Sequence, residues 1–182
     1  EGDGDVMYTN ASWLLLLVLF SVSPRSFAVD DHRHHLDHIL CRKCGTELTE
    51  NSRGNFVNIT SPLSESTHQL SVLGHSHLMV QTLRNPADVT FNLVMVKRSG
   101  CSGIGEWYSD HTWFPGYSWK VCICPRCQAH LGWVFEPVGR ASISHFKASS
   151  EGFYGLILEK LITEESPQKT TTKPTNYASR ER

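Results

Sequence analysis

Apolar and polar residues alternate with a period of two in three passages of the middle of the chain. In VTFNLVMVK, residues 89–97, Val89, Phe91, Leu93 and Met95 fall on one side. In WKVCI, residues 119–123, Trp119, Val121 and Ile123 do the same, and in HLGWVFE, residues 130–136, Leu131, Trp133 and Phe135 share a side. Side chains of a pleated strand point to alternate faces, so each passage predicts a strand with one face against a core. Asn85-Pro86-Ala87-Asp88 breaks the chain before the first passage, Phe114-Pro115-Gly116-Tyr117 turns it before the second, and Pro125 lies in the turn between the second and third. A late run, FYGLILEKL at residues 153–161, fits a strand or a short helix by periodicity; Gly152, Gly155 and the aromatic residues favour the strand. The expected fold class is all-β, with helix confined to short connections.

The two ends of the 182-residue chain read differently from this middle. The apolar run ASWLLLLVLFSV at residues 11–22 is short for a bilayer span, and Ser26 and Ala28 stand three and one before a favourable cleavage point. Residues 1–28 are therefore read as a signal peptide with some extra N-terminal residues, although MYTN from Met7 lacks the usual basic charge; a retained anchor or a buried helix is the alternative. Residues 29–38 form a His-rich leader, whose DDHRHHLDH at residues 30–38 could bind transition metals weakly but has no scaffold of its own. Residues 163–182 are polar and read as a disordered tail. That leaves residues 39–162 as one domain.

Without residues 1–28 the chain carries 16 basic and 15 acidic side chains. Such a balance recommends neither nucleic acid nor an anionic membrane as a partner. The expected localisation is secreted and extracellular, with no membrane contact after signal cleavage. Asn58-Ile59-Thr60 is then a possible glycosylation sequon on Asn58.

Six cysteines change the picture most. Cys41-x-x-Cys44-Gly45 and Cys124-Pro125-Arg126-Cys127 have zinc-knuckle spacing, in which a tight turn aims two sulfurs at one ion and its amides at the sulfurs. Four thiolates make a closed structural Zn2+ site without an open position for water or substrate, so no catalytic residue is assigned. Oxidation of these pairs to disulfides is the competing reading for an exported chain, but two such motifs far apart fit a shared metal better. Cys101 and Cys122 remain; Cys122 should project opposite Trp119 and Val121, and the pair reads as a disulfide in preference to two free thiols.

Three of the five tryptophans, Trp113, Trp119 and Trp133, lie close to the second knuckle. They are either core residues or the walls of an aromatic cage. Trp113 precedes a Pro-Gly turn, where side chains commonly face outward, and Trp119 and Trp133 can face each other if their strands pair through the knuckle.

The first CxxC, the string HTWFPGYSW, the second CxxC, the HLGWVF after it and the late FYGL together resemble the thalidomide-binding domain of cereblon, the CULT domain, and in particular small secreted proteins made of that domain alone. The resemblance implies a β-tent-like fold of two antiparallel sheets at a steep angle, pinned by a four-cysteine zinc. It also implies that Trp113, Trp119 and Trp133 form a ligand cage, that Phe135 is its floor, and that His111 meets the imide of the ligand. By the same resemblance Asn85 matches the family's asparagine on the facing loop, and Asp110 its acidic neighbour of the histidine. Where the family has a histidine after Asn-Pro this chain has Ala87, which would loosen the loop over larger ligands. The family's protease-like domain and ubiquitin-ligase docking segment are not found in this sequence, so no ligase recruitment is expected.

The expected function is therefore a zinc-stabilised binding module for a small cyclic imide such as a glutarimide, the natural ligand resembling either a peptide end cyclised from Asn or Gln or a pyrimidine nucleoside. The same cage could hold a methylated ammonium by cation–π attraction, with Asp110 as its carboxylate. An extracellular protein–protein interaction module is a further alternative. So is an enzyme of the B-type methionine sulfoxide reductase kind, which would need a reactive thiolate that only Cys101 or Cys122 could supply.

Overall fold

The computed structural model describes Gly2 and residues 37–141 and 146–165. All of the proposed signal peptide except Gly2, most of the leader and most of the tail lie outside the described residues. Among the described residues no helix is long and apolar enough to cross a membrane.

Ten strands follow one another: β1 His38–Cys41, β2 Glu47–Glu50, β3 Ser66–Val72, β4 His75–Arg84, β5 Thr90–Val96, β6 Ser102–Tyr108, β7 Tyr117–Ile123, β8 His130–Pro137, β9 Phe153–Ile157 and β10 Leu161–Thr163. Short 3-10 turns at Arg53–Asn55, Val138–Arg140 and Leu158–Lys160 are the helical elements among the described residues. A small sheet has the order β10-β1-β2 and a large one the order β3-β4-β5-β9-β8-β7-β6, with antiparallel pairing throughout. The all-β expectation and its two antiparallel sheets therefore stand.

The alternating passages become the inner strands of the large sheet, and both faces of these strands are buried. On one face Val94, Val96, Cys101, Cys122, Val134, Tyr154 and Leu156 pack against Ile39, Cys41, Leu48 and Leu161 of the small sheet. On the other, Leu83, Leu93, Met95, Phe135, Phe153 and Ile157 pack with Trp113 and Phe114. Each fully buried aliphatic or aromatic side chain contributes roughly 1.5–3 kcal/mol of transfer free energy, so both layers hold the fold. Even Lys120, buried in β7, points into an apolar layer, its Nζ lying 4.7 Å from the ring centre of Trp107 and 5.5 Å from that of Phe146. Burial lowers its pKa.

Two expectations need correction. Leu131 does not share a face with Trp133 and Phe135: it packs in the layer under the small sheet, while they pack in the other. The pairing shifts here, Cys122 lying opposite Gly132 and Ile123 opposite His130, so Leu131 is an extra residue that a strict alternation miscounts. Gly132 makes the bulge possible, with φ at +148° and a Cβ position that would fall 2.0 Å from the carbonyl oxygen of Gly155. The late run is a strand only in part, because the turn Leu158–Lys160 divides it and lets β9 lie in the large sheet and β10 in the small one.

Candidate metal centre and aromatic cavity

Cys41 ends β1, Cys124 follows β7, and Cys44 and Cys127 lie in the turns beyond them. The four sulfurs converge, with all pairs within 4.8 Å, Cys41 Sγ 3.7 Å from Cys127 Sγ and Cys44 Sγ 3.6 Å from Cys124 Sγ. A tetrahedral ion with metal–sulfur bonds of about 2.3 Å needs sulfurs about 3.8 Å apart, so the four cysteines fit one such ion. The turns also supply the donors that such thiolates need: the amides of Lys43 and Cys44 point at Cys41, that of Thr46 at Cys44 and that of Ala129 at Cys127. Burial pushes the Cys41 thiol up to about 12. Burial acts the same way on Cys44, but hydrogen bonds from the Thr46 hydroxyl and amide, and from the neighbouring thiols, outweigh it and bring that group down to about 6. Four sulfurs so arranged cannot all ionise without a cation, and a divalent ion held among them would supply the missing charge. Because Cys41 and Cys44 follow the small sheet while Cys124 and Cys127 follow the large one, the ion would join the two. Arg42 reinforces the joint, its Nε donating to Glu159 O and its Nη2 to Leu161 O, both at 2.9 Å.

Cys101 and Cys122 form a disulfide with a Cα separation of 5.7 Å, and both are fully buried under the small sheet. With four cysteines in the cluster and two in the disulfide, no sulfur is left over as a free thiolate.

On the opposite face of the large sheet a cavity of about 500 Å³ opens between the strands and two loops. Its lining comprises Asn85, Pro86, Phe91, His111, Trp113, Trp119, Val121, His130, Trp133 and Phe135. All six residues assigned to the ligand from the sequence are in it, although they come from four separate stretches of chain. Trp119 lies across the β7–β8 ladder from Phe135, and Trp133 across from Val121, which makes the two indoles diagonal neighbours on one face. Trp113 packs edge-on against Trp133, with ring centres 4.7 Å apart. Contrary to the outward placement expected before a Pro-Gly turn, Trp113 is only 7% exposed. Its indole N–H donates to Arg84 O at 2.7 Å, and the Ser61 hydroxyl donates to its carbonyl. These bonds draw the loop inward.

The remaining walls are held as firmly. Trp119 donates its indole N–H to Asp110 O at 2.8 Å and lies against the ring of Tyr108. The Asn85 side-chain carbonyl accepts from the amides of Ala87 and Val89, building its own turn and leaving its NH2 group with donors to spare. Arg84 braces that turn through ion pairs with Glu65 and Asp88. His111 is exposed at the rim in a left-handed conformation, φ 56°, which is uncommon for a residue with a Cβ and places the loop backbone against the cavity. Asp110 is exposed and does not line the cavity.

Sequence reasoning passed over Phe91, Val121 and His130 as wall residues. The first two were marked by alternation, since Phe91 shares a face with Leu93 and Met95, and Val121 with Trp119. Phe91 reaches Trp133 from beyond β9, ring centres 4.9 Å apart. It can do so because β9 has Gly155 opposite Trp133, where a Cβ would press on Phe135, Leu93 and Met95 at 3.2–3.3 Å. His130 packs edge-on to Trp133 at 4.7 Å, and burial lowers its pKa, keeping the imidazole neutral near pH 7. A wall of neutral aromatic groups with a few hydrogen-bonding edges can enclose a small flat ligand and satisfy its polar atoms.

The fold and site thus define an all-β domain with four cysteines placed to hold one metal ion on one side and an aromatic cavity on the other. No family model matches the chain. Among curated proteins it is distantly homologous to cereblons: 34% identical over 70 residues to that of Danio rerio, 31% over 119 residues to that of Xenopus tropicalis, and 42% over 45 residues to that of Drosophila willistoni. These matches cover 38%, 65% and 25% of this chain but 15%, 22% and 7% of the relatives. The chain therefore spans less than a quarter of the length of these relatives.

Proposed function

We propose that the chain is a secreted, zinc-stabilised binding module of the CULT type, whose cavity takes a small neutral cyclic imide such as a glutarimide or a cyclised peptide end. One observation carries the reading: Asn85, His111, Trp113, Trp119, Trp133 and Phe135, scattered in sequence, line a single cavity. The indole faces enclose the ring, while the His111 ring, the backbone around Trp113 and the Asn85 NH2 are at hand for the imide N–H and carbonyls. Each aromatic wall contributes about 0.5–1.5 kcal/mol beyond area burial. The lining contains no carboxylate, which favours a neutral ligand over a methylated ammonium. Trp113 and Trp133 are sunk in the cavity, unlike the anchors of a protein-docking patch. The chain acts by binding and not by turnover, since the thiolate that reductase chemistry requires is tied up in the disulfide.

Zinc is the ion that best suits four thiolates in a closed tetrahedron. Export fits the buried disulfide, and Asn58 is exposed, as a glycosylated asparagine must be. The reading is tested by titrating glutarimide into the protein while following tryptophan fluorescence. Trp133→Ala and Trp119→Ala should each weaken binding at least tenfold, to below detection for so small a ligand, with one zinc per chain retained. Unchanged binding in both variants refutes the assignment.

A further inference from the structure

His130 lines the cavity from the opposite end of β8 to the floor residue, Phe135. The two are separated by roughly 15 Å of strand, at a rise of about 3.3 Å per residue. A ring lying over Phe135 therefore leaves the His130 end unfilled, and a cavity of about 500 Å³ is of the size that takes a drug-sized ligand and not one small ring. The imidazole at that end is fixed in place. It stands edge-on to Trp133, with ring centres 4.7 Å apart, and to Phe91 at 6.3 Å. Its Nε2 lies 3.1 Å from the carbonyl oxygen of Gly132, at the bulge that has no room for a Cβ.

A carbonyl can only accept, so Nε2 carries the ring proton, and in a neutral imidazole Nδ1 is then an acceptor. Burial keeps the ring neutral near pH 7. Nδ1 has no partner among the described residues, nor is it sealed off: the sealed side-chain atoms without partners there are Asp37 Oδ1 and Glu136 Oε1. Other polar edges of the lining are donors or are already engaged. The indole N–H groups of Trp113 and Trp119 bond to backbone carbonyls, and Asn85 Oδ1 takes two amides, which leaves its NH2. The His111 ring, at the exposed rim, can offer either. We propose that His130 is a specificity-determining residue whose Nδ1 accepts an N–H on a substituent of the ligand, so that the cavity selects imides bearing an acylamino group over the bare ring. The inference rests on the imide reading and deepens it: the ring sits among the indoles, and His130 reads what is attached to the ring. An acceptor left facing a group that cannot donate costs binding, so an analogue lacking that hydrogen is rejected.

The test compares 3-acetamidoglutarimide with its ester counterpart, 3-acetoxyglutarimide, in which an oxygen of similar size replaces the N–H; plain glutarimide is the reference for the cage. In titrations followed by tryptophan fluorescence, the wild-type chain should bind the amide at least tenfold more tightly than the ester. In His130→Phe and in His130→Leu that preference should fall below threefold, with glutarimide still bound. Equal affinity for amide and ester in the wild-type chain overturns the proposal without recourse to a variant, and so does a preference that survives intact in either folded variant. Failure of the wild-type chain to bind any of the three compounds would instead overturn the imide reading, and this inference with it.

Discussion

The two faces of the large sheet are covered by different means, and the difference separates stability from binding. One face is closed by a second sheet, a disulfide and a cysteine cluster, so its side chains meet regular partners along their whole length. The other is closed by loops, held by single hydrogen bonds such as those from Trp113 to Arg84 and from Trp119 to Asp110. Loops can cover a sheet face without filling it, and rigid aromatic rings set around what is left make a cavity that cannot collapse. The lesson is that a cross-linked back lets the front remain incompletely packed.

Breaking the back should therefore cost the fold, and breaking the front should cost mainly the ligand. The largest effect is expected from removing the metal with a strong chelator, or from Cys124→Ser. Because binding energy at such a site is largely folding energy, loss of the cooperative thermal transition should follow in circular dichroism. Next comes Gly132→Ala at the bulge that connects the faces, where the Cβ has no room; a destabilisation on the order of 4 kcal/mol should appear in denaturant unfolding. Replacing Cys101 and Cys122 together by alanine should cost about 3 kcal/mol, the loop entropy released in the unfolded chain, with glutarimide affinity nearly unchanged. Smallest in stability is Trp119→Ala, at about 1 kcal/mol for a half-exposed side chain, even though binding is lost. A Trp119 variant that unfolds, or a disulfide variant that no longer binds, would mean that the faces are not separable.

Much of this division can be read from the sequence, and the parts that cannot have physical reasons. The cysteine pairs and the alternation in β5, β7 and β8 mark the frame because thiolate spacing and strand period are local properties. Leu131 is misplaced by the same period, because one extra residue at a bulge inverts the faces on either side of it. Strand β3 gives no sign of itself, as its interior residues are all exposed and carry no pattern. The burial of Trp113 depends on Ser61 and Arg84, distant residues whose polar atoms draw its loop inward. His130 was passed over although it stands within the aromatic motif, since nothing in its neighbours says that its ring turns toward Trp133.

The central claim is that one neutral aromatic cavity binds an uncharged imide. Competition on the wild-type protein tests it most directly, with tryptophan fluorescence read as glutarimide and then tetramethylammonium are added. Saturable one-site quenching or enhancement by glutarimide, undisturbed by a large excess of the ammonium ion, is the predicted result. No saturable response to the imide, or its displacement by the cation, would contradict the account.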